Sequence, residues 1–160
     1  MTELTLPGTP LTRRQILSAT GSGALTALAL TFLPGGAFAG PEEAAAAINA
    51  LTGGADAESG KITLDLPEIA ENGNTVPLKL TVDNPQSAKD HVTELAVVAE
   101  ANPFPLVVTF HLTPASGKAA ADVRIRLAGT QHIAAVAKTS TGKLYMDRKE
   151  IKVTIGGCGG

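Results

Sequence analysis

The chain has no tryptophan, one tyrosine, four phenylalanines and a single cysteine among its 160 residues. One thiol leaves no internal disulfide, no Cys-rich zinc or iron–sulfur site and no covalent c-type haem, which requires Cys-x-x-Cys-His. An excess of positive charge is also missing, since thirteen Lys and Arg stand against fifteen Asp and Glu for a formal net charge of −2. Without a basic field to hold a phosphate backbone, no nucleic-acid partner is expected. What remains is a light, aliphatic composition, 44% hydrophobic and 18% charged, with 17 Gly and 10 Pro. That suits one modest globular domain.

Charge is absent altogether between Gln15 and Pro41, and this stretch follows directly on Arg13-Arg14 within Thr12-Arg13-Arg14-Gln15-Ile16-Leu17. A twin-arginine pair ahead of a moderately apolar run predicts a Tat-type export signal over residues 1–39 and a periplasmic location. The apolar part is diluted by Gly21, Ser22, Gly23, Thr26 and Thr31 and broken by Pro34, Gly35 and Gly36. It is too short for a spanning helix, so no stable membrane insertion is expected. Ala37-Phe38-Ala39 supplies the small residues of a cleavage site before Gly40. Phe32 and Phe38 leave with the leader, so the mature core is built from Val, Ile, Leu and Ala around Phe104, Phe110 and Tyr145. About 120 residues still suffice for a core without disulfides.

Pro41-Glu42-Glu43 opens a short helix, with Pro at its first position and carboxylates at the positive end of the dipole. Ala44, Ala47, Ile48 and Leu51 form its apolar stripe, and Gly53-Gly54 ends it. Beyond Gly60 the period becomes two. Ile62, Leu64 and Leu66, then Val76, Leu78, Leu80 and Val82, then Val123, Ile125 and Leu127, then Ile151, Val153 and Ile155 alternate with polar residues. Turn chemistry separates these runs at Glu71-Asn72-Gly73-Asn74, Asp83-Asn84-Pro85, Ala101–Pro105, Thr113–Gly117 and Thr139–Gly142. Seven or so short strands of this kind predict an all-β, immunoglobulin-like antiparallel sandwich spanning residues 40–155.

Three strands are apolar on both faces, around Leu95–Ala99, Leu106–Leu112 and Ile133–Ala137. One helical stripe is narrow for so much surface. A protein partner over the outer positions Val98, Val107 and Val136 is therefore favoured above intramolecular cover.

The chain ends Gly156-Gly157-Cys158-Gly159-Gly160. Four side-chain-free neighbours predict a mobile arm over residues 156–160, thin enough to enter a narrow channel and with nothing against which to bury the thiol. From Ile155 to Cys158 such an arm reaches about 10 Å when extended. The nearest titratable side chain in sequence is Lys152, so no base stands beside Cys158 to activate it. His91, His111 and His132 fall on or beside strands at unrelated spacings, and no metal site is expected. A thiol on a tether that relies on other sites for activation has the logic of a covalent carrier and not of an enzyme.

The terminal pentapeptide after Val153-Thr154-Ile155 carries a resemblance, together with Thr109-Phe110-His111-Leu112-Thr113-Pro114-Ala115-Ser116-Gly117 and Arg124-Ile125-Arg126-Leu127-Ala128. Over about residues 60–160 the chain resembles the SoxY family, the sulfur-carrier subunits of bacterial thiosulfate-oxidising systems. The resemblance implies an immunoglobulin-like fold and a heterodimer with a SoxZ-like subunit. It places covalent sulfur on Cys158, with Gly156, Gly157, Gly159 and Gly160 giving access and no further cofactor. It also implies three enzymes as partners. A cytochrome c enzyme conjugates thiosulfate to the cysteine, a manganese-dependent hydrolase releases sulfate, and a sulfane dehydrogenase oxidises the persulfide that remains.

Two other readings compete. A β-sandwich interaction or chaperone-like module would use the terminal cysteine for a structural mixed disulfide. A thiol peroxidase or reductase would need an activating base and usually a resolving cysteine, which the chain lacks.

Overall fold

The computed structural model describes residues 41–157. The predicted leader, residues 1–39 with Arg13 and Arg14, lies outside the described residues, as do Cys158, Gly159 and Gly160.

Helix α1 (Pro41–Thr52) begins and ends where its sequence signals stand, with Glu42 and Glu43 in the first turn. Gly53 and Gly54 take φ of +64° and +77°. The Gly54 amide donates back to the Asn49 carbonyl at 3.2 Å, the six-to-one bond of a Schellman stop.

Eight strands follow: β1 (Ile62–Asp65), β2 (Ile69–Asn72), β3 (Val76–Val82), β4 (Val92–Ala99), β5 (Leu106–His111), β6 (Ala120–Ile125), β7 (Gln131–Thr139) and β8 (Leu144–Ile155). They form a three-stranded sheet, β1-β3-β6, and a five-stranded sheet, β2-β8-β7-β4-β5. Between them lies the core. Val76, Leu78, Leu80 and Val82 point inward from β3 while Pro77, Lys79 and Thr81 face out. Leu95, Val97, Ile133, Ala135 and Ile151 meet them from the larger sheet. The expected sandwich is thus present, with an added strand. Residues 69–72, which the sequence suggests as the approach to a turn, pair in parallel with the end of β8, setting Ala70 opposite Val153 and Asn72 opposite Ile155. Strand β8 is also longer than its apolar alternation. Its polar first half is held extended by antiparallel pairing with β7 from Lys138↔Leu144 to Gln131↔Ile151.

The outer apolar positions are arranged differently from the expectation. Val98 is fully buried with Ala134 beneath Ala44 of α1, and Ala47, Ile48 and Leu51 complete the contact. The helix stripe suffices because the sheet side chains beneath it, Val98 and Ala134, are small and leave little apolar area to cover. Val107 is partly buried and turns toward the core. Val97 pairs with Val108 and Val98 with Leu106, so Val107 is the extra residue of a bulge and packs against the inter-sheet core beside Val108. Val136 is likewise buried. These three positions therefore give no support for a partner-covered face.

Candidate functional site

The start of the C-terminal glycine segment is held by three backbone segments. Beyond β2, Asn72 accepts from the Asn74 amide at 2.9 Å, a side-chain turn that swings Gly73 toward the end of β8. Beyond β6, the chain continues extended through Leu127, whose side chain is completely buried. Beyond β8 come Gly156 and Gly157.

Their main chains interlock. The Gly73 amide donates to the Ile155 carbonyl, the Leu127 amide to the Gly73 carbonyl, and the Gly157 amide to the Leu127 carbonyl, each at 2.8 Å. The alternation of an extended chain leaves the polar groups of Arg126 and Ala128 pointing away from the arm, and one side chain takes both. Asn102, 3% exposed, donates to the Arg126 carbonyl at 2.8 Å and accepts from the Ala128 amide at 2.9 Å. Gln131, also buried, backs it. Its amide donates to Asn102 Oδ1 at 3.0 Å and to the Gly129 carbonyl at 3.2 Å, while its own oxygen accepts from the Ala101 amide at 2.7 Å. All the buried polar groups of this network are paired, which makes it rigid and costly to open.

Of the predicted arm, Gly156 and Gly157 fall among the described residues, and Gly157 is buried. Close approach leaves no room for a side chain at Gly156 and little at Gly157. A Cβ on Gly156 would lie 2.2 Å from the Ala128 carbonyl oxygen. One on Gly157 would lie 3.1 Å from the Gly73 backbone carbon, Asn74 Oδ1 and Arg126 Cγ. Cys158 follows immediately in sequence.

The histidines are not brought together. His132 lies 4.0 Å from Glu100, which also accepts from Arg148, while His111 is exposed at the end of β5 and His91 Nδ1 is buried without a hydrogen-bond partner. Among the described residues, no three His, Cys, Asp or Glu gather to hold a metal ion. Neither Gly73, Asn102 nor Gln131 is singled out by the sequence. The two asparagine-bearing loops look like ordinary turns, and nothing in their composition shows which amide is buried.

The sequence model described as "Sulfur oxidation protein SoxY" matches residues 48–158, up to and including the cysteine. Among curated proteins no sequence match is found. The solved structure of the sulfur carrier protein SoxY from Chlorobium limicola f thiosulfatophilum is 33% identical, covering 69% of this chain and 94% of that one at a TM-score of 0.58. A superoxide reductase (neelaredoxin) from Ignicoccus hospitalis is 20% identical, covering 59% of this chain and 80% of that one at a TM-score of 0.51. A point variant of that reductase is 19% identical over 71% of this chain and 91% of that one, at a TM-score of 0.53. At such identity the likeness to the superoxide reductases is one of fold alone. The SoxY match covers most of the chain and includes its only thiol, so this chain belongs to the SoxY family of sulfur oxidation proteins.

Proposed function

We propose that the protein is a periplasmic carrier that holds the sulfur intermediates of thiosulfate oxidation on Cys158 and presents them to partner enzymes. The observation that carries this reading is the family match running through the single cysteine, in a terminus whose four neighbouring residues are glycine.

The chemistry follows from one thiol. A cytochrome c enzyme joins Cys158 to the outer sulfur of thiosulfate. An S–S bond forms, the thiol proton is released and two electrons pass to the haem, leaving Cys–S–S–SO3−. Hydrolysis cleaves the bond to the sulfonate sulfur, with water supplying the oxygen of sulfate and leaving a persulfide. Three waters then supply the oxygens as a sulfane dehydrogenase withdraws six electrons and seven protons to give Cys–S–SO3−. A second hydrolysis returns the thiol and a second sulfate. In this reading the redox groups and the activation of the thiol come from the partner enzymes. The domain's contribution is to hold the arm root and leave the sulfur accessible to each enzyme in turn.

A heterodimer with a SoxZ-like subunit, and export through the Tat pathway, belong to the same reading. The surface that fits a partner lies at the edge strand β5, where Phe104 is 77% and Leu106 46% exposed. Intact-mass analysis of protein isolated from cells given thiosulfate tests the carrier reading. Sulfur-bearing adducts confined to Cys158 are the expected result. A mixed disulfide alone would favour the interaction-module reading.

A further inference from the structure

Arg124 and Arg126 stand on either side of Ile125 at the end of β6. Because Ile125 and Leu127 are buried, both arginines face outward from the three-stranded sheet, with their Cα atoms about 7 Å apart along the extended chain. Both are exposed, and neither guanidinium has an ion-pair or hydrogen-bond partner among the described residues. The acid two residues along the same strand, Asp122, is engaged by Lys79 at 3.7 Å, and the residue opposite Arg124 on β3 is Pro77. Arg148, by contrast, is held by Glu100. Two unopposed cations thus sit together on a domain in which, from residue 40 on, eleven Lys and Arg stand against fourteen Asp and Glu.

The pair lies at the end of the sandwich where β8 finishes. The Leu127 amide donates to the Gly73 carbonyl and the Gly73 amide to the Ile155 carbonyl, each at 2.8 Å, so the chain beyond β6 and the end of β8 meet around one loop. Ile155, the last residue of β8, is 66% exposed, an apolar side chain that the domain leaves uncovered.

From this arrangement we infer that Arg124, Arg126 and Ile155 form a docking surface for the enzyme that loads the thiol, and that the enzyme meets it with a pair of carboxylates. The inference rests on the carrier reading above and names the surface that reading needs. An enzyme engaging a thiol three residues beyond Ile155 works within about 10 Å of the strand end, whatever course those residues take. A protein interface of ordinary size buries about 800 Å² on each partner, a patch about 30 Å across, and so covers this end of the sandwich as well.

The arginines set the chemistry of the contact. A guanidinium donates two parallel hydrogen bonds to a carboxylate, and cations about 7 Å apart match acids two residues apart on a strand or four apart on a helix. A free oxyanion is a poorer occupant, because on an open sheet face water and salt screen both charges. Beneath a docked protein part of that water is displaced and the attraction strengthens, while Ile155 adds apolar contact beside it.

Kinetics of the thiosulfate-conjugating cytochrome c enzyme on the mature protein with its SoxZ-like subunit test this in wild type and in Arg124→Gln/Arg126→Gln. The control is Lys89→Gln/Lys143→Gln, which removes the same charge at the opposite end of β8, where the Ser140 amide donates to the His91 carbonyl. All four side chains are exposed, so the Tm of each variant should stay within a few degrees of wild type. At low salt kcat/KM should fall about tenfold in the arginine variant and less than about twofold in the control. Between about 20 and 200 mM salt it should fall several-fold in wild type and much less in the arginine variant. Ile155→Ser should cost about threefold. Alkylation of Cys158 by iodoacetamide should stay within about twofold throughout, since a small reagent needs no docking surface.

Equal losses in the two charge variants would reduce the effect to net charge and overturn the docking surface. A matching fall in alkylation would mean that the arginines act on the thiol, and a matching loss of affinity for the SoxZ-like subunit would assign them to that interface; either overturns it. Binding of thiosulfate alone that the arginine substitutions abolish would make this an oxyanion site instead. Failure of wild-type Cys158 to take up sulfur would sink the carrier reading, and the affinity of the enzyme for Cys158→Ser would then decide the docking surface by itself. About tenfold weaker binding without the arginines is expected there, and equal affinity or none would overturn it.

Discussion

Val98 of β4 and Ala44 of α1 bury each other, at 0% and 2% exposure, on the face of the five-stranded sheet turned away from the inter-sheet core. The short helix α1 is therefore part of the folded domain and not a spacer. Burial of a side chain such as Val98 is worth about 1.5–3 kcal/mol.

Charge at this position should act on the fold. Val98→Asp places an unpaired carboxylate under α1, and we expect it to destabilise the domain by about 3 kcal/mol or more. Thermal unfolding of the isolated subunit reads this directly. An unchanged Tm would mean that α1 does not cover the strand in solution.

Much of this architecture is legible in the sequence because it depends on local period. The strict in-and-out alternation of β3 and the capped stripe of α1 follow from side-chain direction alone. The outer face is not, because whether Val98 meets a helix or another protein depends on how α1 docks, and Val107 turns inward through a bulge set by tertiary register. The arm root is hidden for a similar reason. Gly156 and Gly157 look like spacer residues until β2, a strand of four residues with one inward-facing alanine, delivers Gly73 beside them.

Asn102→Ala should remove the partner of the Arg126 carbonyl, the Ala128 amide and the Gln131 amide together. At about 1–3 kcal/mol for a buried group left unpaired, with some relaxation, the domain should lose about 2–3 kcal/mol. That corresponds to a Tm lowered by about 10 °C for a domain of this size. A loss below about 0.5 kcal/mol would show that water replaces the side chain and that the brace is weak.

Cys158→Ser should abolish thiosulfate-dependent electron transfer to the cytochrome, since a hydroxyl forms no sulfur–sulfur bond. The unfolding transition should stay within about 0.5 kcal/mol of wild type. Substantial turnover by this variant would exclude the carrier mechanism.

Export should depend on the arginine pair. Replacing both Arg13 and Arg14 by Lys keeps the charge but removes the twin-arginine signature, and precursor should accumulate in the cytoplasm. Cell fractionation with N-terminal sequencing checks both the location and a mature start at Gly40. Normal periplasmic yield of the double variant would remove the Tat reading.

With Val98 and Val136 buried and Val107 packed against the core, the proposed partner binding would draw on other apolar surface. Phe104 and Leu106 offer it, because both are exposed beside β5, which is an edge strand among the described residues. Pro103 and Pro105 flank Phe104 and donate no backbone hydrogen bond, so the loop is better suited to presenting a side chain than to extending the sheet. A buried aromatic anchor typically contributes about 2 kcal/mol or more to an interface. Phe104→Asp should therefore weaken binding of the SoxZ-like subunit by about thirtyfold or more, while the Tm of the isolated subunit stays within a few degrees. Leu106→Asp should do the same to a smaller extent, being less exposed and at the start of the strand. Titration calorimetry of both variants against the partner separates affinity from folding. Wild-type affinity in both would place the interface elsewhere on the sandwich, and a parallel fall in affinity and Tm would make the two residues part of the fold.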